Sequence, residues 1–536
     1  MGPTKKPPGF DEAAEVRAEI ALTPHDIALD LERERASLDE SFRHDFSTSE
    51  TGIVPLDHRR PIWHFYGLML TYAAGFGYVF VGFTLHDAGF DLAKTAAVLA
   101  AGAFIYGAYA MLGAYLGART GQTHSLLTRS VFGLGGSWIV SIMVFVTFSG
   151  WVGFNANLAA QLWNGLYGWP ILGVGIALAG AMVFNNLFGF TGISAWARYV
   201  VSPVLVLWIL YLVIKGFTTE SSHVLGSTPK ATSPIGTLAG INFVVGFIMF
   251  GTEPDTWRYG KPRFSWSFGP YAFALFIPGF ALMAIGGWIM AALSPGRSYG
   301  QSMPLTTHYS LFGAFWLAWI LVLITQVALN DGNYYASINA VQNIMGGWRK
   351  WRRIYSCLVA LVGGCLAAWI VPDVLTNGFF KLATFAAISV PTATVIMFTD
   401  HFLLPRLLHV SRPLTTVPAW RETAILNWPG TIALLCAAGF GAYASGLLTM
   451  FGESSSTNIG LAALEAWGIG AVVYVVGVVI TRFLAPNFKA AMGFAHDVRD
   501  VEVSPPAAVD IASVAAAAVM TSAAGAAGEA TAVVGD

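Results

Sequence analysis

Apolar runs of about twenty residues recur along nearly all of this chain, and no other feature restricts its fold as much. A bilayer core of about 30 Å takes about 20 residues of α-helix, and the backbone inside it has to satisfy its own N–H and C=O groups. Runs of that length lie at 63–85, 93–117, 135–162, 169–189, 197–215, 236–256, 268–293, 309–345, 354–371, 379–400, 427–450 and 461–484. The eighth is too long for one straight span and has to bend or extend beyond the bilayer. Only 11% of the 536 residues are Asp, Glu, Lys or Arg, against about 25% in a soluble domain. The sequence predicts an all-α integral membrane protein with about 12 transmembrane helices.

Residues 1–60 are polar and mixed in charge, without the short apolar core and cleavage site of a signal peptide, and read as a cytosolic tail. Residues 61–486 form the transmembrane domain. Residues 487–536 form a second cytosolic tail, Ala/Val/Gly-rich from about Val501 and expected to be disordered. With the N-terminus inside, the cytosolic connections receive Arg59/Arg60, Arg119/Arg129, Arg198, Arg258/Lys261/Arg263, Arg349/Lys350/Arg352/Arg353, Arg406/Arg412/Arg421 and Arg482/Lys489. The opposite side receives only Lys94, Lys215, Lys230, Arg297 and Lys381. This alternation fits the positive-inside rule for twelve spans, with both termini cytoplasmic and the cell membrane as the location. A net charge of −1 gives no reason to expect a nucleic-acid partner. Cys357, Cys365 and Cys436 sit in apolar runs without metal or redox spacing, so neither disulfides nor a metal is expected.

Three places break the apolar pattern. The first run contains Tyr72-Ala-Ala-Gly75-Phe-Gly77 and then Gly82; the sixth contains Gly251-Thr252-Glu-Pro254-Asp255-Thr-Trp-Arg258. These runs are five helices apart, where inverted repeats of five place discontinuous helices around a substrate. In the first run the glycines are better read as permitting close helix packing. In the sixth, Pro254 removes a backbone donor, and a true break is as good an account as packing. Trp151 and Asn155 of the third run stand four apart on one face, either as a stacking surface beside a hydrogen-bonding amide or as an ordinary packed pair. The eighth run holds Asn330-Asp331-Gly332-Asn333, with Ser337 on the face of Asn330 and Asn333. Asp331 lies about 100° round from Asn330 and a dozen residues before the basic group at Arg349. It is therefore inside the membrane, where an ionisable side chain usually faces a cavity or a partner.

Together these segments resemble the nucleobase:cation symporters of the purine–cytosine permease family. Arg119-Thr-Gly121, Arg129-Ser-Val-Phe132-Gly133 and Gly136-Ser137 resemble its loop between helices two and three. Gly150-Trp151-Val-Gly-Phe-Asn155 resembles its helix-three substrate motif. Gly251-Thr252 with Asp255-Thr-Trp-Arg258-Tyr259-Gly260, and Asn330-Asp331 with Tyr335-Ala336-Ser337, resemble segments of bacterial cytosine permeases. Pro391, Val395-Ile396 and Thr399-Asp400-His401-Phe402 resemble the helix-ten segment. The resemblance covers helices one to ten. It implies a five-plus-five inverted-repeat (LeuT-like) core with two additional C-terminal helices, and symport of a small-molecule nucleobase with a proton or sodium. By the same resemblance Trp151 stacks one face of the base, Phe247 covers the other with Phe250 as the alternative, and Asn155, Asn330 and Asp331 read the edge, with Asn333 beside them. Gly75, Gly251, Thr252, Asp255 and Asp331 would serve the helix breaks or the coupling.

Two departures bear on coupling. Sodium-coupled members place a Ser/Thr pair just before the helix-eight Asn; here the pair is Ala328-Leu329. Fungal proton-coupled members carry a Glu in the stretch between helices four and five; here that stretch is Phe188-Gly189-Phe190 and the matching position is Ala197. With buried carboxylates at Asp331 and Asp255, proton coupling is favoured over sodium and no other cofactor is implied. The alternatives are a carrier of allantoin, hydantoin, uracil or a thiamine precursor, or a non-transporting membrane sensor. An enzyme would need a nucleophile with its base or facing metal ligands. The histidines, His64, His86, His124, His308 and His401, gather instead at span ends and loops, so the chain is not read as an enzyme. The sequence does not set the oligomeric state.

Overall fold

The computed structural model describes residues 53–54, 59–184, 186, 202–227, 229, 236–249, 251–345, 352–375, 379–412, 423–447, 460–492 and 499–500. Most of both tails, Phe250, Phe188–Phe190, Ala197, Arg198, Lys230, Arg349, Lys350 and Arg421 lie outside the described residues. The protein is an all-α bundle. In chain order its main helices are α1 (Ile62–Ala73), α2 (Phe76–Asp87), α3 (Leu92–Thr120), α4 (His124–Tyr167), α5 (Ile171–Met182), α6 (Ser202–Thr218), α7 (Thr237–Ile248) and α8 (Glu253–Trp257). They continue with α9 (Phe268–Leu275), α10 (Phe280–Leu293), α11 (Tyr299–Ser310), α12 (Phe315–Met345), α13 (Arg352–Leu375), α14 (Phe379–Phe398), α15 (Trp428–Ala444) and α16 (Ala462–Leu484).

Local sequence sets several boundaries. Asp91 and Thr123 cap α3 and α4 by accepting from the N–H groups of Lys94 and Leu126. Asn427 caps α15 through Gly430, with a proline in the first turn. Among the described residues seven helical stretches, two of them made of α7 with α8 and α9 with α10, are long and apolar enough to cross a membrane, and the bent pair α1 and α2 adds an eighth. Large apolar side chains such as Phe104, Leu207, Trp369 and Val472 stand exposed on the outside of the bundle, as a surface solvated by lipid requires. Inside, α2 and α10 cross backbone to backbone: a Cβ at Gly82 would run into the Ala284 carbonyl, and one at Gly287 into that of Val79.

Four features differ from the sequence reading. The first run is broken, with a 46° bend between α1 and α2 where Gly75 is extended; Gly75 and Gly82 both also sit hard against neighbouring helices. The third run starts earlier, because α4 has 44 residues and is interrupted at Gly133, whose φ of 74° suits glycine. Arg129-Ser-Val-Phe132 thus lies in a helix rather than a loop. The long eighth run is divided by a turn at 311–314, after which α12 runs for 31 residues. Finally, Arg60, Arg129, Arg258 and Arg412 are buried rather than solvated. Several basic residues still meet at one end of the bundle. Arg59 donates to the carbonyls of Ala118 and Gly260, Arg129 to that of Asn343, and Arg482 to that of Leu408. Burial, then the neighbouring Arg258, lowers the Arg59 pKa to about 10, which leaves it charged at neutral pH.

Candidate functional site

Among the described residues the first and the sixth spans are broken at the cavity, and the seventh is interrupted between α9 and α10. Between α7 and α8 the chain leaves the helix at Met249 and re-enters at Glu253, with Gly251 at φ 72°, a conformation that costs a residue with a Cβ. A cavity of about 50 Å3 lies among α1, α2, α4, α7, α8 and α12, lined by Tyr72, Trp151, Asn155, Phe247, Asn333 and Tyr335 among others. That is room for a few waters.

Trp151, Asn155, Phe247, Thr252, Asp255 and Asn333, all singled out from the sequence, line this cavity. The rings of Trp151 and Phe247 meet edge to face, with centroids 4.9 Å apart at 69°. Phe247 also packs against Tyr78 and Phe154. Asn155 and Asn333 both donate to Asn330 Oδ1, at 3.2 and 3.0 Å. Asn330 in turn donates to the Val152 carbonyl and Met182 Sδ, and Gln326 donates to the Asn155 carbonyl. The result is a fixed ladder of amides on α4 and α12.

Asn330 and Asp331 do not line the cavity. Both are fully buried. Asn330 stands behind Asn155 and Asn333 with its amide committed to them and to α4 and α5. Asp331 turns away by the single-residue step of the helix and accepts from Asn186 at 3.4 Å. It sits near the middle of α12, about 21 Å of helix rise from Met345, so it lies deep in the span. Asp255 is committed as well: Oδ1 accepts from the His124 N–H at 2.6 Å and Oδ2 from Asn339 at 3.2 Å, tying α8 to α4 and α12. His124, at a helix end as expected, is fully buried and its Nε2 pairs with Thr394.

At the other break, Leu329 occupies the space beside Gly75: a Cβ there would fall 2.9 Å from Leu329 Cδ2. Gln326 Oε1, 3.8 Å from the same position, is buried without a hydrogen-bond partner. Gly77 leaves room for the site itself, since a Cβ there would meet Asn155 Oδ1 at 3.1 Å and Phe247 at 3.5 Å. The sequence reading passed over Glu253, Tyr78 and Tyr271, and quoted Tyr72 and Tyr335 only as parts of motifs without giving them a role; all five are lining residues. For Glu253 the signal was available, as a carboxyl inside a span.

No protein-family model matches the chain. It is 27% identical to the cytosine permease of Escherichia coli (strain K12) over 309 residues, which is 56% of this chain and 68% of that protein. The cytosine permease of Escherichia coli O157:H7 matches to the same extent. Among solved structures, a nucleobase-cation-symport-1 family transporter in a closed conformation with bromovinylhydantoin bound superposes with a TM-score of 0.64. That match has 16% identity over 83% of this chain and 98% of the other. By sequence and by fold, the chain is similar to the nucleobase:cation symporters. A Na+-coupled sialic acid symporter shares the fold as well, with a TM-score of 0.56 at 12% identity over 87% of this chain and 99% of that one. At such identity the likeness is one of fold and carries no ion or substrate with it.

Proposed function

We propose that this chain is a secondary active transporter that imports a nucleobase, cytosine foremost, by proton symport with alternating access. One observation carries the reading: a cavity walled by a tryptophan and two amides lies where two spans break. Eight spans by length and composition, with four shorter apolar helices, coincide with the twelve apolar runs. Breaks in the first and sixth support the five-plus-five repeat arrangement with two further helices. The gathering of basic residues at one end supports cytoplasmic termini in a cell membrane, and the similarity to cytosine permeases supports the substrate class.

In this reading Trp151 stacks on the base. Phe247 covers the opposite face after swinging off the Trp151 edge. Asn155 and Asn333 meet the carbonyl and ring nitrogens, held in register by Asn330, because an amide can both donate and accept. Asp331, which accepts from Asn186, stands behind the wall and takes no direct part in reading the base. Proton rather than sodium coupling is supported by the hydrocarbon of Leu329 at the Gly75 break and by three buried carboxyl groups, Glu253, Asp255 and Asp331. The test is uptake of a panel of labelled bases into proteoliposomes with sodium and pH gradients imposed separately. Accumulation of cytosine under the pH gradient supports the proposal, and a strict sodium requirement with no response to pH overturns the coupling. In the same assay, accumulation of hydantoins but not cytosine would overturn cytosine as the substrate.

A further inference from the structure

Glu253 stands at the start of α8, where span six resumes after its break, and it lines the cavity while being only 2% exposed. Its Oε1 accepts from the Tyr106 hydroxyl at 2.9 Å and from the Gly251 N–H at 3.1 Å. Its Oε2 is buried and has no hydrogen-bond partner, and no cation forms an ion pair with the group among the described residues. On the α3 side, Gly113 makes the room: a Cβ there would stand 2.9 Å from Glu253 Cβ and 3.2 Å from Oε2. The titratable groups facing it are Tyr106 and Tyr109 of α3, Tyr271 of α9 and Asp255 of its own turn, with His124 of α4 beyond Asp255. None of them is a lysine or arginine.

An unpaired carboxylate at such depth is expensive, and a buried polar atom left without a partner calls for an explanation. Asp255 and Asp331 accept hydrogen bonds from donors that hold them in place. Among the described carboxyl groups, Glu253 alone combines a place on the cavity wall, a place on the broken helix and an oxygen without a hydrogen-bond partner. We propose that Glu253 binds the coupled proton, on Oε2, as substrate enters the cavity. This inference rests on the symport reading above. The proton arrives from the phase to which the cavity opens and forms one O–H bond, so the carboxyl crosses as a neutral acid. It leaves to the opposite phase after the segment at Gly251 changes the angle between α7 and α8. Because Oε1 holds the Gly251 N–H, a change of charge on the same carboxyl acts directly on the backbone of the break.

The test uses the full chain in proteoliposomes, with labelled cytosine as the probe. Wild type is expected to accumulate it under an inward proton gradient; wild type indifferent to pH overturns the symport reading and this inference with it. Glu253→Gln keeps the shape and removes the titration. It is expected to lose gradient-driven accumulation by about tenfold or more, within the range of ordinary coupling between two ligands. It is also expected to retain counterflow exchange of cytosine that no longer varies with pH. A variant that still accumulates under the gradient assigns the proton elsewhere. If Glu253→Gln fails to fold, Tyr106→Phe removes one donor from the carboxyl and is expected to displace the midpoint of the pH profile of uptake while exchange persists. An unchanged profile overturns the proposal.

Discussion

Two buried carboxyl groups at different places in the bundle are treated in opposite ways. Asp400, 2% exposed, receives both contacts of the Arg412 guanidinium Nε, at 2.9 and 3.1 Å, and the Tyr474 hydroxyl. Arg412 also donates to the Met492 carbonyl at 2.6 Å, so the cluster fastens the end of span ten to α16 and the chain beyond it. Burial opposes the charge on Arg412, yet Asp400 and Tyr474 beside it raise its pKa. Glu253 is as buried, but among the described residues it has no cation and one unsatisfied oxygen. A charge that only holds helices together is neutralised permanently by the protein. The carboxyl beside the cavity is the one we propose a mobile proton neutralises.

The largest expected effect falls on the paired site. Arg412→Ala strands Asp400 without its partner and is expected to destabilise the protein by about 3–5 kcal/mol. Glu253→Gln, which removes an unpaired charge, is expected to stay within about 1 kcal/mol of wild type. Thermal unfolding of both variants in detergent checks the contrast, and equal losses would erase it. At the cavity, Trp151→Ala is expected to weaken cytosine binding by about 1–3 kcal/mol, as measured for bases stacked on aromatic side chains, with Trp151→Phe keeping part of the affinity. Tyr474→Phe, at the other carboxyl, should leave cytosine affinity unchanged; a matching loss there would mean that the two regions are not separate. Asn330→Ala releases Asn155 and Asn333 without touching the cavity wall, and a loss of about 1 kcal/mol in cytosine binding is expected. The smallest effect is expected from Gly77→Ala, whose added methyl presses on Asn155 and Phe247. It should disfavour purines over pyrimidines by a factor of a few, read from competition binding.

Much of this was legible in the sequence, for reasons that particular residues make plain. Run length placed the spans, because a bilayer fixes helix length, and Gly251 with Pro254 marked the break in span six. The residues alone favoured packing for Gly75 and only the family resemblance put a helix break there, because a glycine that separates two helices and one that lets them touch look the same in one dimension. Asn330, Asp331 and Asn333 were found because polar side chains stand out in an apolar run. Their relative angles followed from helical spacing, but not which of them faced the cavity. That depends on how α12 is rotated against α4, a tertiary quantity, and it placed Asn333 at the wall and Asn330 behind it. Glu253 was overlooked beside Asp255, since which of two nearby carboxyls finds donors is decided by α3 and α4, far away in sequence.

Proton uptake by the purified protein when cytosine is added, followed with a pH-sensitive dye in lightly buffered detergent solution, tests the contrast between the two carboxyls most directly. Wild type and Arg412→Lys, which keeps a cation beside Asp400, should each take up protons on binding. Glu253→Gln should bind cytosine and take up none. Proton uptake that persists in Glu253→Gln, or wild-type binding that moves no protons, would contradict the account.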